Sequence, residues 1–319
     1  MATQKRHKVG GNKSETIQEI PMACVDELKA VEFMEKKRWG DSPICPRCNH
    51  ENVKKMMSSD GKERNKRYLW RCYGCKKQFT VRIGTVFEDS RIPLKYWCLA
   101  FWRACSSKKG VSALQISRET GLSYKSTLFM MHRIRFAMTP DYPDKLEGDV
   151  EIDETYVGGK PRYKGHSKRG RGTKKTPVVG LVERGGSVRA RVITDVTGKT
   201  LKGAIRELVS TDSRVITDEL PAYNGIGKDF KNGHHTVNHG AKEYVRGDIY
   251  TNTIESFFAI IKRGLIGTYH NVSKKHLHRY IGQFEFMYNT RHLDDGGRLS
   301  KAIISSIGKR LRYKEPIAI

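Results

Sequence analysis

Three carboxylates stand where a carboxylate is costly. In VEIDET, Val150 and Ile152 share one face of a strand, while Glu151, Asp153 and Thr155 share the other. In RVITDE the last apolar residue is Ile216, and Asp218 stands at the strand's end. Along 251–270, TNTIESFFAIIKRGLIGTYH, Ile254, Phe257, Phe258, Ile261 and Leu265 recur at helical spacing. Glu255 falls in the first turn of that helix, at the edge of the apolar stripe, with Lys262 two turns along the same side. Acids in core strands or at their ends cost free energy unless paired, hydrogen-bonded or metal-bound. Singly, each has an ordinary reading: Asp153 and Asp218 cap strand ends, and Glu255 offsets the helix dipole. As a set, they can converge on one or two hard cations. Mg²⁺ prefers oxygen ligands and leaves positions open for phosphate and water. His239 and Asn252 lie close by in sequence, as site neighbours or as a strand-end and an N-cap residue. The flanking Glu151, Glu154 and Glu219 are read as bystanders whose amides leave most activity intact.

Four of the seven cysteines form two knuckles, CPRC (Cys45, Cys48) and CYGC (Cys72, Cys75), separated by 23 residues. That is the spacing of a zinc ribbon, with four thiolates for one structural Zn²⁺. The insert folds back as a hairpin with Asp60-Gly61 as its turn. Its Lys and Arg residues, interleaved with Tyr68 and Trp70, suit a nucleic-acid backbone. Cys24, Cys98 and Cys105 lie on helical patterns and read as core.

The elements that must position these residues follow from pattern. Residues 1–20 read as a flexible basic arm, and 22–39 as one amphipathic helix within a zinc-ribbon segment, 21–88. The stretch 80–93, TVRIGTVFEDSRIP, reads as a strand-like exit, and Pro93 opens a helix carrying Trp97, Phe101 and Cys105. Within 89–145, a helix, a turn at Gly121, Ser123 as N-cap and a second helix make a helix-turn-helix pattern, with Lys125 and Arg133 available to DNA. A Pro- and Gly-bearing linker puts a boundary near 145. From 146 to 295, strands and then mixed helices and strands argue for an α/β domain, a mixed sheet flanked by helices. Residues 296–319 read as a tail. The acid-free stretch 160–175 is an exposed basic loop in which Lys168, Arg169 and Arg171 would meet a DNA backbone, as would Lys262 and Arg263.

Bulk charge agrees with such a partner. The 319 residues carry 60 Lys plus Arg against 34 Asp plus Glu, a net charge of +26, which points to a polyanion. The longest apolar run, YWCLAFW, is far too short to span a bilayer, and no apolar stretch follows the N-terminal charges. A cytoplasmic protein on chromosomal DNA, not a membrane protein, is the expectation.

In order and context, IDETYVGG, VITDELPAY and NTIESFFAIIKRG resemble the catalytic core of bacterial insertion-sequence DDE transposases, above all the ISXO-type group with its N-terminal zinc ribbon. The resemblance runs from about Cys45 to Arg291. It implies a ribonuclease-H-like fold. It also implies that Asp153, Asp218 and Glu255 hold two Mg²⁺, or Mn²⁺ in their place, and that Lys262 is the basic residue that follows the Glu. The 36 residues between Asp218 and Glu255 suit the short second interval of such enzymes. Implied with these are binding of terminal inverted repeats, water-driven strand cleavage at the transposon end, and attack of the freed 3′-hydroxyl on target DNA. Two ends held together imply a homodimer or larger assembly. A non-catalytic zinc-ribbon regulator and a structure-specific nuclease on the same fold are the alternatives.

Overall fold

The computed structural model describes residues 15–141, 143–158, 175–241, 243, 245–312 and 315. The chain divides into two units, one from Met1–Met138 with Thr290–Ile317, the other from Thr139–Asn289.

The first unit opens with two helices, α1 (Glu15–Val25) and α2 (Glu27–Trp39), where the sequence suggested an arm followed by one helix. Asp26 makes the break. Its backbone is extended, and its carboxylate accepts Lys29 N at 2.7 Å, capping α2. Strands β1 (Val53–Lys55), β2 (Trp70–Cys72) and β3 (Gln78–Phe79) form a small antiparallel sheet in that order. Trp70 stacks on Phe79, and Trp39 meets both edge-on. Buried Glu35 of α2 accepts Trp70 Nε1 at 2.7 Å and both terminal nitrogens of Arg64, fastening the sheet to the helix. Residues 80–93 are turns rather than the expected strand. Gly84 and Asp89 adopt positive φ while Val81, Val86 and Phe87 are buried.

Next come α3 (Leu94–Ser106), α4 (Ala113–Thr120) and α5 (Tyr124–Met138). Gly121, left-handed at φ 71°, ends α4, and Ser123 Oγ accepts Ser126 N to start α5. The segment expected as a tail contains α9 (Asp295–Ile304), packed on α3 and started by Asp294 accepting Gly297 N. Its buried Arg298 donates to Cys105 O at 3.0 Å, so this segment completes the first unit.

The second unit holds β4 (Asp149–Val157), β5 (Thr176–Glu183), β6 (Val188–Val192), α6 (Gly198–Leu208), β7 (Arg214–Asp218), β8 (His234–Val237), α7 (Asn252–Gly264) and α8 (Lys274–Asn289). The strand order is β6-β5-β4-β7-β8. The β4–β7 and β7–β8 pairs are parallel, and the other two are antiparallel. Such a mixed sheet with a central β4 buries both faces. Val150, Ile152, Leu181 and Val215 pack with Leu201 and Ile205 of α6. Val178, Val182 and Val188 pack with Ile254, Phe257, Phe258 and Ile261 of α7 and Phe284 of α8.

Candidate active site and metal centre

The cysteine knuckles close on one point. The four sulfurs lie within 4.8 Å of one another, with Cys45–Cys75 at 3.8 Å and Cys48–Cys72 at 3.6 Å. Four sulfurs each 2.3 Å from one tetrahedral Zn²⁺ would be about 3.8 Å apart. Asn49 and Lys76, each the residue after a knuckle's second cysteine, take φ near +58°, so both knuckles turn alike. Cys75 N points at Cys72 Sγ at 3.4 Å. The donor set and its spacing fit zinc. Cys98 and Cys105 are fully buried and stand apart from this cluster.

In the second unit, Glu151 pairs with Ile216 in the parallel register of β4 and β7. Two residues on along each strand, past the last pair of that ladder, are Asp153 and Asp218, which strand alternation puts on the same face of the sheet as Glu151 and Ile216. Asp153 also pairs with Gly180 of β5. A Cβ on Gly180 would lie 2.7 Å from Ile254 Cδ1 and Phe258 Cζ, so the missing side chain lets α7 rest on the sheet beside Asp153. Glu255, half exposed, leaves the first turn of α7. Burial pushes the Asp153 carboxyl up to about 8, helped by the charges of Glu154, Asp218 and Glu255. The three acids therefore share one field. Among the described residues no Lys or Arg pairs with Asp153 or Glu255; His239 Nε2 is 3.7 Å from Glu255 Oε1 and 3.3 Å from Thr251 Oγ1. Carboxylates such as Asp153 and Glu255, with no Lys or Arg paired to them among the described residues, suit a divalent cation.

Glu151 is no bystander. It is fully buried. It accepts Thr253 N at 2.8 Å, Ile254 N at 3.1 Å and Thr253 Oγ1 at 2.9 Å. It thus satisfies the free N–H groups that open α7, which the N-cap Thr251 side chain leaves uncapped. Arg184 Nε reaches the same carboxylate at 2.8 Å, and its other nitrogens hold Asp248 O and Tyr250 O, while its guanidinium lies 3.7 Å from the Tyr250 ring centroid. One carboxylate two residues before Asp153 so fixes the turn that carries Glu255. The signal was present in the sequence: an acid inside a core strand needs a partner.

The remaining expected residues scatter. Asn252 is the exposed first residue of α7, and the cap position falls to Thr251. Lys262 and Arg263 are exposed, and Lys262 lies about 10 Å along the helix from Glu255. Lys125 is exposed in the first turn of α5. Arg133 is buried, donating to Leu311 O at 3.1 Å and Glu88 O at 2.7 Å, so it does not stand on the solvent face of α5 as the helix-turn-helix reading had it. Lys168, Arg169 and Arg171 lie outside the described residues. Glu154 accepts Tyr223 Oη at 2.9 Å, and Glu219 accepts His239 N and Gly240 N.

Comparison with known proteins gives this geometry a family. The ISXO2-like transposase domain matches residues 145–289, and the transposase zinc-ribbon domain matches residues 25–78. A protein in transposable element ISH50 of Halobacterium salinarum is 32% identical over 274 residues, covering 82% of this chain and 90% of that protein. The chain belongs to the ISXO2-like transposase family. The zinc-ribbon match encloses all four knuckle cysteines, and the transposase match encloses Asp153, Asp218 and Glu255. Among the described residues, no helix of this transposase-family chain is long and apolar enough to cross a membrane.

Proposed function

We propose that the chain is the transposase of an insertion sequence, binding its terminal inverted repeats and catalysing Mg²⁺-dependent strand cleavage and strand transfer. The observation that carries this reading is the parallel pairing of β4 with β7, which ends at Glu151 and Ile216, two residues short of Asp153 and Asp218, beside the α7 turn that bears Glu255. The strand order of the mixed sheet supports a ribonuclease-H-like reading. When bound, two Mg²⁺ would supply Lewis-acid stabilisation of the attacking and leaving oxygens of an in-line displacement. Asp153, Asp218 and Glu255 would hold them. Glu151 and Arg184 keep Glu255 in place, and Lys262 and Arg263 offer charge to DNA phosphates further along α7. Tyr223 is buried with its hydroxyl on Glu154, so this tyrosine is not placed as a nucleophile. The zinc ribbon and the α4–α5 pair would hold the terminal repeats, with two copies of the chain for two ends.

Purified protein incubated with its element's end duplex, a target plasmid and Mg²⁺ tests the reading. Joined product is expected, abolished by chelation. Binding without cleavage would replace the reading with a regulator, and cleavage without joining would replace it with a nuclease.

A further inference from the structure

The first unit contains a cavity of about 570 Å³ between the 89–97 segment, α5 and the 310–312 segment. Five cations line it: Arg91, Lys125, Arg133, Arg310 and Arg312. The one carboxylate among its lining residues, Asp89, is taken up by Arg310. The balance at the wall is therefore strongly positive, and the occupant it favours is an anion. Arg91 and Arg312 are exposed, and their guanidinium groups have no partner among the described residues. Arg133 is only 5% exposed. Its Nε and Nη2 are committed to Leu311 O and Glu88 O, and its guanidinium lies 5.9 Å from the Trp97 ring centroid and 5.1 Å from that of Phe129. Neither bond uses Nη1, so the guanidinium keeps a charged donor at the wall of the cavity that Arg133 lines.

The rest of the wall is apolar, formed by Ile92, Trp97, Phe129 and Met130. A bare phosphate needs neither this apolar wall nor this volume, which lies in the range of small-molecule sites. A phosphate within a duplex is flanked by stacked pairs that cannot enter a recess of that size. A nucleotide out of the stack brings an anion and a flat apolar face together. We propose that this cavity seats one unpaired nucleotide of a DNA strand, its phosphate against the arginines and its base against the apolar wall.

The proposal rests on the DNA-handling reading above and adds to it a site for unpaired DNA, separate from duplex recognition. Full-length protein would be titrated, at one fixed salt concentration, into a labelled blunt duplex and the same duplex with a three-nucleotide overhang. The overhang should tighten binding about tenfold in the wild type. In Arg91→Ala/Arg312→Ala, and separately in Arg312→Glu, that ratio should fall to near one while blunt-duplex affinity changes less. Thymidine monophosphate should compete for the overhang advantage well below the concentration at which inorganic phosphate does. Equal binding of both duplexes by the wild type, a ratio unchanged in both variants, or phosphate competing as well as the mononucleotide would each overturn the proposal. Failure to bind either duplex would overturn the DNA reading with it.

Discussion

Glu151→Gln is the substitution that separates a positioning carboxylate from a bystander. The side chain is fully buried and serves four donors: Arg184 Nε, Thr253 N, Ile254 N and Thr253 Oγ1. An amide keeps one acceptor oxygen and turns an N–H₂ towards groups that are themselves donors. Breaking one side of a buried ion pair costs about 3–5 kcal/mol. Arg184 retains Asp149 at 3.6 Å and two backbone carbonyls, which puts the expected loss near the lower end, about 3 kcal/mol. For a unit of this size that is a fall in Tm of roughly 6–12 °C. The first turn of α7 is then free to shift, and Glu255 lies two residues beyond Thr253. A displacement on the order of 1 Å at a reacting site costs about 10²-fold in rate. Thermal unfolding and strand transfer across a Mg²⁺ titration, on the same preparation, read both effects. Glu207→Gln is the control, since Glu207 is largely exposed and makes a surface pair with Arg191. A Glu151→Gln protein with wild-type Tm and wild-type strand transfer would refute the positioning role.

Further outcomes follow from the same contacts. Gly180→Ala places a methyl 2.7 Å from Ile254 and Phe258, so it should cost about 1–3 kcal/mol and lower strand transfer by lifting α7 off β5, read by denaturant unfolding and the joining assay. Elemental analysis should find one zinc per chain, and a strong chelator should abolish the near-ultraviolet circular dichroism of the Trp39–Trp70–Phe79 cluster; protein free of zinc with that signal intact would contradict the ribbon assignment. Burial raises the Glu285 carboxyl from 4.5 to about 8, against the opposing pull of Arg189. Its protonated form is favoured by folding, so this contribution to stability is full below pH 4.5 and is lost as pH rises to about 8. Glu285→Gln should therefore flatten the fall in Tm over that window and exceed the wild type above it, as pH-stepped thermal unfolding would show.

Much of this was legible in the sequence because it rests on local periodicity. The alternation in VEIDET, the apolar run ending at Asp218 and the 3.6-residue stripe of α7 each announce an element within a few residues of its observed bounds. The knuckles were equally legible, since two short loops fix four sulfurs. What escaped depends on contacts between distant residues. Glu151 looks like its neighbours until α7 is folded over β4. Gly180 reads as an ordinary strand glycine until Ile254 and Phe258 lie against it. The helix from Glu15 was hidden by Pro21 and by the break at Asp26, and α9 by its Gly296-Gly297 pair. The β-branched run at 80–86 suggested a strand, but Gly84 and the burial of Val81, Val86 and Phe87 make it a packed turn segment. Arg133 has the spacing of a surface residue on α5 until the chain carbonyls of Leu311 and Glu88 take up its guanidinium.

The central claim, that Asp153, Asp218 and Glu255 form one metal-dependent active centre, is tested most directly by measuring end binding and strand transfer in parallel for Asp153→Asn, Asp218→Asn and Glu255→Gln. Each change is near-isosteric and removes one charge from the cluster. Strand transfer should fall by about 10³-fold or more in all three, while affinity for the transposon ends stays at the wild-type level. Glu255→Gln joining DNA as fast as the wild type would contradict the account and leave Glu255 a first-turn acid at the edge of an apolar helix face.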